Sequence, residues 1–170
     1  MSSISLNPVR RADAEALIAA NIASRSCHHP WVEPFCDQVG FEAWFDEIAT
    51  GAKVGLVARE QNSGAIVGVT NLSQIFRKAF QNAYLSYYGM AGFTGRGLMT
   101  EAVRLTVRYA FDEIGLHRLE ANIQPDNAAS IALVRRLGFR KEGFSPRYLK
   151  IAGEWRDHER WAVLADEWPG

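Results

Sequence analysis

Gly92-Phe93-Thr94-Gly95-Arg96-Gly97-Leu98-Met99-Thr100-Glu101-Ala102 is the stretch that decides the fold of this chain. Residues 83–90, immediately before it, are rich in β-forming side chains, and an amphipathic run begins directly after Gly97. The order is therefore strand, glycine loop and helix. Free N–H groups at the start of such a helix favour an anion, and Gly95 and Gly97 would let a phosphate approach the backbone closely.

Two familiar phosphate-binding motifs do not fit this loop. A Walker loop requires Gly-Lys-Ser/Thr after four intervening residues, and no such run occurs in the chain. The dinucleotide fingerprint G-x-G-x-x-G would need a glycine where this chain has Thr100. Glycine spacing alone therefore leaves two interpretations open, an anion site or a tight turn from strand to helix.

The composition is typical of a globular domain. A chain of 170 residues can bury a substantial core, so we expect a single domain over residues 1–170. Lys plus Arg and Asp plus Glu both number 19, which leaves no basic excess to hold nucleic acid. No signal peptide and no membrane-spanning run is visible. We therefore expect a cytoplasmic protein with neither a nucleic-acid nor a membrane partner.

The cysteines and histidines do not suggest a metal site. Cys27 and Cys36 are the only cysteines, they form no C-x-x-C pair, and no His/Cys cluster completes a zinc site. We expect both to be free thiols in a reducing compartment. His28 and His29 are adjacent in a loop, where histidines more often face solvent than bind metal, so we predict no metal.

The apolar periodicity along the chain predicts alternating helices and strands. Helices are expected over residues 13–24, 38–49, 98–114 and 130–137. Strands are expected over residues 4–6, 53–59, 65–72, 84–90, 118–123, 139–142, 148–151 and 155–164. Between the first two helices, an irregular loop carries Trp31 and Phe35, and it is either a lid over a binding cleft or a segment packed on the core.

A second motif lies downstream, Asn127-Ala128-Ala129-Ser130-Ile131-Ala132-Leu133-Val134-Arg135-Arg136-Leu137-Gly138-Phe139. Taken singly, Asn127 reads as a helix N-cap, and Ser130 as a hydroxyl bonded back to its helix. With the upstream strand, G-x-G loop and helix, however, the motif resembles the Gcn5-related N-acetyltransferase (GNAT) superfamily over nearly the whole chain. Five segments resemble the Rim-type ribosomal-protein N-acetyltransferases, nearest the ribosomal-protein-alanine branch: residues 29–31, 68–69, 141–143, 148–151 and 153–158.

This resemblance implies an α/β (α+β) fold of the acyl-CoA acyltransferase type, with a mixed, mostly antiparallel, splayed sheet flanked by helices. It implies acetyl-CoA as the donor, with its diphosphate on the N–H groups of the glycine loop and its pantetheine arm paired with the nearby backbone. Gly92 stands where the superfamily usually has Gln or Arg, so one polar contact is missing. The implied cofactor-binding residues are Met90, Gly92, Gly95, Arg96, Gly97, Leu98, Met99, Asn122 and Asn127.

The resemblance also implies a catalytic residue. Many members carry a proton-donating Tyr in the second helix, where this chain has Val134. The Rim branch has a Ser in the first turn of that helix, and Ser130 matches it, so Ser130 is implied as the catalytic donor to the leaving thiolate. A related branch places a basic Glu where this chain has Arg147, so no general base is identified. The candidate acceptor-binding residues, which the resemblance does not assign, are Trp31, Tyr87, Tyr148 and Glu33, and Glu33 is the one acid among them to test as a base.

The acceptor must be a neutral amine when it attacks. A chain-terminal amine has a pKa near ~8 against ~10.4 for lysine, so lysine costs roughly 3 kcal/mol more to deprotonate. Without an evident base, the sequence favours the N-terminal α-amine of a protein such as a ribosomal protein. The alternatives are an acetyltransferase of a small amine (polyamine, amino acid or antibiotic), a non-catalytic acetyl-CoA-binding module and, more distantly, a dinucleotide-dependent oxidoreductase. A homodimer is left open.

Overall fold

The computed structural model describes residues 3–170, which form one seven-stranded sheet and five α-helices. The strands are β1 (Ile4–Pro8), β2 (Lys53–Glu60), β3 (Ile66–Phe76), β4 (Asn82–Gly89), β5 (Arg118–Ile123), β6 (Arg140–Ile151) and β7 (Glu154–Leu164). The helices are α1 (Ala14–Ala23), α2 (Arg25–His28), α3 (Gln38–Ala49), α4 (Leu98–Arg108) and α5 (Ala128–Arg136). A 3-10 turn, Arg11–Asp13, precedes α1, and a π-helical turn, Tyr109–Glu113, continues α4.

The sheet has the strand order β1-β2-β3-β4-β5-β7-β6, and every neighbouring pair is antiparallel except β4 and β5. That parallel pair is short, because only residues 82–84 of β4 pair with residues 118–120 of β5. Beyond these residues the two strands continue without pairing to each other, which opens a gap in the middle of the sheet. The mixed, mostly antiparallel, splayed sheet flanked by helices is therefore confirmed.

Helices cover both faces of the sheet. Successive strand residues point to opposite sides, and apolar residues on each side pack against helices. On one face, Leu85 of β4 packs in a cluster with Val103 of α4. On the other face, Val69 of β3 packs with Leu17 of α1 and Phe41 of α3. Each such side chain contributes about 1.5–3 kcal/mol when it is fully buried, so the two clusters hold the helices against the sheet.

Helix α4 begins directly at the glycine loop and is fixed to β3 from inside the core. Its buried side includes Ala102, Val103 and Val107, and a hydrogen bond of 2.7 Å joins the hydroxyls of Thr106 and Thr70. The Thr106 hydroxyl also donates to the Ala102 carbonyl at 2.9 Å, so these buried polar groups are satisfied. The first turn of α4 is consequently held in one place relative to the central strands.

The structure differs from the expected elements in three places. The separate strands expected over residues 139–142 and 148–151 form one continuous strand, β6, because its pairing with β7 resumes after a register shift between Ser145 and Leu149. Within that shift, Arg147 has a φ of 47° and its N–H donates to the Asp157 carboxylate at 2.7 Å. The expected helix over residues 98–114 changes to a π turn after Arg108, and α2 forms inside a segment expected to be a loop.

Among residues 3–170, no helix combines the length and apolar character needed to cross a bilayer. Over the same range, no three His, Cys, Asp or Glu side chains gather in a way that could hold a metal ion. Cys27 and Cys36 are both free thiols.

Candidate active site

A cleft of about 670 Å³ lies where β4 and β5 separate. Its walls come from α2 and the loop after it, the end of β4, the glycine loop, the first turn of α4 and one side of α5. Arg136 of α5 is the single charged side chain among the described residues that line it. The cleft therefore offers an apolar and aromatic interior, a row of backbone groups and one cation.

The glycine loop presents unobstructed backbone at one end of this cleft. Gly95 and Gly97 both have a φ of +76°, a left-handed conformation that favours glycine, and a Cβ at either position would meet nothing within 4 Å. Gly97 is the N-cap of α4, so the N–H groups of Leu98 and Met99 have no acceptor inside the helix. This arrangement suits a phosphate, because both the N–H groups and the helix dipole favour negative charge.

Met99 seats the start of α4 against the central strands. A Cβ added to Gly68 would lie 2.3 Å from the Met99 sulfur and 2.5 Å from the Tyr88 carbonyl oxygen. A Cβ added to Gly89 would lie 3.0 Å from Met99 Cγ. The two glycines of β3 and β4 thus make the space that Met99 fills, and Met99 itself lines the cleft.

Arg96 is engaged outside the cleft lining. Its guanidinium pairs with the Glu60 carboxylate and lies 5.3 Å from the centre of the Phe93 ring. The pKa of Glu60 is lowered, first by a hydrogen bond from the Ser63 hydroxyl and then by Arg96. In this conformation the Arg96 side chain contacts Glu60, and the loop contributes to the cleft through its backbone.

The unpaired edge of β4 belongs to Gly89 and Tyr87, whereas sequence analysis pointed to Met90. The Met90 N–H donates to the Val67 carbonyl at 2.8 Å, so it is already used within the β3–β4 pairing. Backbone groups of alternate residues in an antiparallel strand face opposite neighbours, so those of Gly89 and Tyr87 face the gap toward β5. A ligand in the gap would pair with these two residues.

His28 closes one end of that edge. Its Nε2 lies 2.9 Å from the Gly89 carbonyl oxygen, and because a carbonyl only accepts, Nε2 carries the proton. His28 is buried, its Nδ1 has no partner among the described residues, and burial lowers its pKa. The imidazole is therefore a neutral wall of the cleft, which sequence analysis did not identify as a site residue.

Ser130 and Tyr87 meet across the cleft. The Tyr87 hydroxyl lies 2.7 Å from Ser130 Oγ and 3.4 Å from the Ser130 carbonyl oxygen. Burial raises the pKa of Tyr87 to about 12, although the hydrogen bond with Ser130 acts in the opposite direction. Asn127 Oδ1 accepts from the Ser130 N–H at 3.2 Å, so Asn127 caps α5 while lining the cleft.

The loop over residues 29–34, which we call the strap, crosses from α2 to the far half of the sheet. Gln124 Nε2, at the end of β5, donates to the Pro30 carbonyl at 3.2 Å and to the Trp31 carbonyl at 3.4 Å. Glu33 accepts from the Ala152 N–H at 2.8 Å, in the turn between β6 and β7. Trp31 lines the cleft, whereas Glu33 is an exposed tether outside the lining.

Four further expected site residues also lie outside the cleft lining: Gly92, Leu98, Asn122 and Tyr148. Asn122 is on the face of β5 opposite Ala121 and Ile123, and its Oδ1 is buried without a partner in residues 3–170. Tyr148, on β6, helps burial to raise the pKa of Tyr84, and its ring centre lies 6.2 Å from that of His158. Asn122 and Tyr148 therefore belong to the opposite side of the sheet from α5 and Ser130.

Arg136 and Gln124 are site residues that sequence analysis missed. Arg136 follows Ala129 and Leu133 at helical spacing, so the period of α5 could have placed it on the cleft side. Gln124 gives no such signal, because its role depends on a long-range contact with the strap.

The chain resembles known acetyltransferases in both sequence and structure. A family model described as an acetyltransferase (GNAT) domain matches residues 3–140. The chain is 44% identical over 99 residues to the probable N-acetyltransferase YjcK of Bacillus subtilis, covering 58% of this chain and 55% of that protein. It is 42% identical over 106 residues to the [ribosomal protein uS5]-alanine N-acetyltransferase of Escherichia coli, covering 62% and 55%.

The chain thus spans about half the length of the curated relatives it matches. Among solved structures, Mycobacterium smegmatis RimJ in complex with CoA-disulfide superposes with a TM-score of 0.88 at 30% identity. That superposition covers 98% of this chain and 84% of the other. The likeness extends over β6 and β7 as well, beyond the residues that the family model matches.

Proposed function

This chain belongs to the GNAT acetyltransferase family, as the glycine loop and the Asn127 helix indicated, and on that premise we propose that it moves an acetyl group from acetyl-CoA to the N-terminal α-amine of a protein. The uS5-alanine acetyltransferase relative makes a ribosomal protein the first acceptor to test. The observation that carries the choice of acceptor is the absence of any carboxylate among the described residues lining the cleft.

The cleft has a feature for each part of the donor. The N–H groups after Gly97 would receive the diphosphate, and Arg136 supplies a positive charge for a phosphate at the cleft wall. The N–H of Gly89 would pair with the pantetheine arm in the gap between β4 and β5, since the Gly89 carbonyl already accepts from His28. This assignment places the thioester close to Ser130, which lines the same cleft.

The charge of the cleft disfavours a polyamine acceptor. A polycation bound in a cleft needs carboxylates to balance its desolvated charges, whereas the charged side chain here is Arg136. An α-amine can be neutral at working pH with a pKa near ~8, so a site without a carboxylate base suits it better than lysine at ~10.4. Glu33, the acid that sequence analysis singled out, is used by the Ala152 N–H.

The proposed reaction depends mainly on positioning and on hydrogen bonds to developing charge. The amine nitrogen attacks the thioester carbonyl carbon, and the N–H of Tyr87, on the unpaired edge of β4, can donate to the oxygen as its negative charge grows. The C–N bond forms, the C–S bond breaks and its electron pair leaves on sulfur, where the Ser130 hydroxyl is available as a donor. The proton lost by nitrogen ends on sulfur, which gives an amide and free CoA thiol.

A peptide panel tests this proposal. We expect thiol release from acetyl-CoA with peptides that have a free α-amine, and mass spectrometry should locate the acetyl group on that amine. The matched control is the same peptide with a blocked N-terminus and an internal lysine, which should react at least tenfold more slowly. Preferred acetylation of lysine or of spermidine would contradict the choice of acceptor.

The non-catalytic alternative makes a different prediction with the same reagents. A binding module would be stabilised by CoA in a thermal-shift measurement but would release no thiol with any peptide or small amine. Stabilisation by NAD in place of CoA would instead favour the oxidoreductase alternative.

A further inference from the structure

Tyr87 and Ser130 come from different elements, and their side chains meet in the cleft. Tyr87 lies on β4, Ser130 lies in the first turn of α5, and both line the cleft. Their hydroxyl oxygens are 2.7 Å apart, a normal distance for an O–H···O hydrogen bond. This contact joins the β4 edge of the gap to the helix that carries the implied catalytic serine.

We propose that Tyr87 is a positioning residue whose phenol holds the Ser130 hydroxyl so that the serine proton points at the sulfur of the acyl donor. The inference rests on the proposed function for the presence of that sulfur in the cleft. It assigns Tyr87 a role in thiolate departure, whereas sequence analysis placed it in acceptor binding.

The hydrogen-bond inventory supports this direction of donation. The Ser130 N–H is already used by Asn127 Oδ1, so of the two donors on Ser130 only the hydroxyl is left for a ligand in the cleft. If the Tyr87 O–H donates to Ser130 Oγ, the serine proton is free for another acceptor. The second acceptor near the phenol, the Ser130 carbonyl, is 3.4 Å away and forms a weaker bond.

Tyr87 does not need to give up its proton in this role, and its acidity argues against such a step. Burial raises the pKa of the Tyr87 phenol to about 12, whereas a cysteine-like thiol has a pKa of about 8.5, so full proton transfer from Tyr87 to a thiolate is disfavoured. Tyr87 therefore acts through Ser130 as a fixed donor. As the C–S bond breaks, its electron pair moves to sulfur, and the Ser130 hydroxyl donates a hydrogen bond to that charge.

The first test measures the thiol of bound CoA without any turnover. A hydroxyl aimed at the sulfur stabilises the thiolate, so the thiol of CoA bound to the wild-type protein should have a lower pKa than the thiol of free CoA. A pH titration monitored by the ultraviolet absorbance of the thiolate measures this pKa. Tyr87→Phe should remove most of that shift, and Ser130→Ala all of it. An unchanged thiol pKa in Tyr87→Phe would overturn the inference, whatever acceptor the enzyme uses.

The second test is a double-mutant cycle on kcat. We expect Ser130→Ala to lower kcat by about 100-fold and Tyr87→Phe by about tenfold, each with the KM for acetyl-CoA changed less than about twofold. The double variant should match Ser130→Ala within about twofold, because Tyr87 acts only through that hydroxyl. Additive losses would contradict the inference, since Tyr87 would then act independently of Ser130.

Two controls separate this role from general damage to the fold. Tyr109→Phe removes a phenol outside the cleft and should leave kcat and the thiol pKa at wild-type values. Ser130→Thr keeps a hydroxyl and should retain part of the thiol shift. If wild-type protein acetylates no amine but still lowers the thiol pKa through both residues, the proposed function fails while the positioning role stands.

Discussion

His28 shows how a single buried side chain makes this cleft sensitive to pH. Burial lowers its pKa below the ordinary 6.5, and the hydrogen bond to the Gly89 carbonyl offsets that shift only in part. The unfolded chain therefore binds a proton at pH values where the folded chain does not. Well above about pH 6.5, His28 is neutral in both states and does not change the free energy of unfolding. As the pH falls below that value, His28 takes up a proton first in the unfolded chain, so the free energy of unfolding decreases.

We predict that His28→Gln flattens the loss of stability between pH 7 and about pH 5. Urea unfolding at several pH values measures the slope of the free energy of unfolding against pH, which removes the cost of the substitution itself. His29→Gln, at the exposed neighbouring histidine, is the control and should keep the wild-type slope. Part of the slope should persist in His28→Gln, because burial also lowers the pKa of His158. Equal slopes in His28→Gln and wild type would refute the prediction.

At the residue scale, the sequence predicts backbone sites better than side-chain sites. The left-handed conformation of Gly95 and Gly97 could be predicted because a glycine loop before a helix has a local sequence signature. That Asn122 and Tyr148 lie on the other face of the sheet from α5 could not be predicted, since the face on which a strand residue lies depends on sheet register. Glu33 could not be assigned either, because its partner Ala152 is 119 residues away in the chain.

The first turn of α4 packs against two glycines, Gly68 and Gly89, which have no side chains to fill the space of Met99. Gly68 leaves the room that Met99 occupies, and a methyl group there would clash with the Met99 sulfur and with the Tyr88 backbone. A flexible methionine can move, but a paired strand carbonyl cannot move without disturbing the sheet. The first turn of α4 would therefore shift, and with it the N–H groups proposed to hold the diphosphate.

We predict that Gly68→Ala destabilises the fold by about 1–3 kcal/mol and weakens CoA binding at least tenfold. Thermal unfolding and calorimetric titration with CoA measure the two effects. The matched control is Gly55→Ala in β2, where a methyl would meet the ends of the Ile48 and Trp44 side chains under α3. That variant should lose some stability and bind CoA normally, so a Gly68→Ala protein with wild-type CoA affinity would count against this account.

Elements with strong local signals were predicted almost to the residue. Helix α3 occupies residues 38–49 and β5 occupies 118–123, as their periodicity and flanking residues indicated. Strand β6 was divided in two because Ser145–Arg147 has a turn-like composition, yet β7 pairs on both sides of it. The end of α4 was also set by packing, since the π turn over Tyr109–Glu113 has no evident signal in the sequence.

On the scale of the whole molecule, the strap holds the two halves of a split sheet together. Strands β1–β4 lie on one side of the gap and β5–β7 on the other, and beyond residues 82–84 β4 pairs with β5 no further. The strap begins at α2, beside β4, and reaches β5 through Gln124 and the β6–β7 turn through Glu33. The strap thus fixes Trp31 at the cleft. It borders the cleft, as expected of a lid, and it is also tied to the sheet, as expected of a packed segment.

We predict that Gln124→Ala raises the KM for the acceptor peptide by about three- to tenfold while the KM for acetyl-CoA stays within twofold. The variant loses the Nε2 donor that the Pro30 and Trp31 carbonyls share, and a net loss of about 0.5–1.5 kcal/mol for this one donor corresponds to a factor of about 2 to 12. Steady-state kinetics with one substrate varied at a time measures both constants. Gln38→Ala, which removes an exposed glutamine bonded to Glu42 on α3, is the control and should change neither. If Gln124→Ala raised both KM values equally, the strap would be a general support of the fold and would have no particular role at the acceptor side.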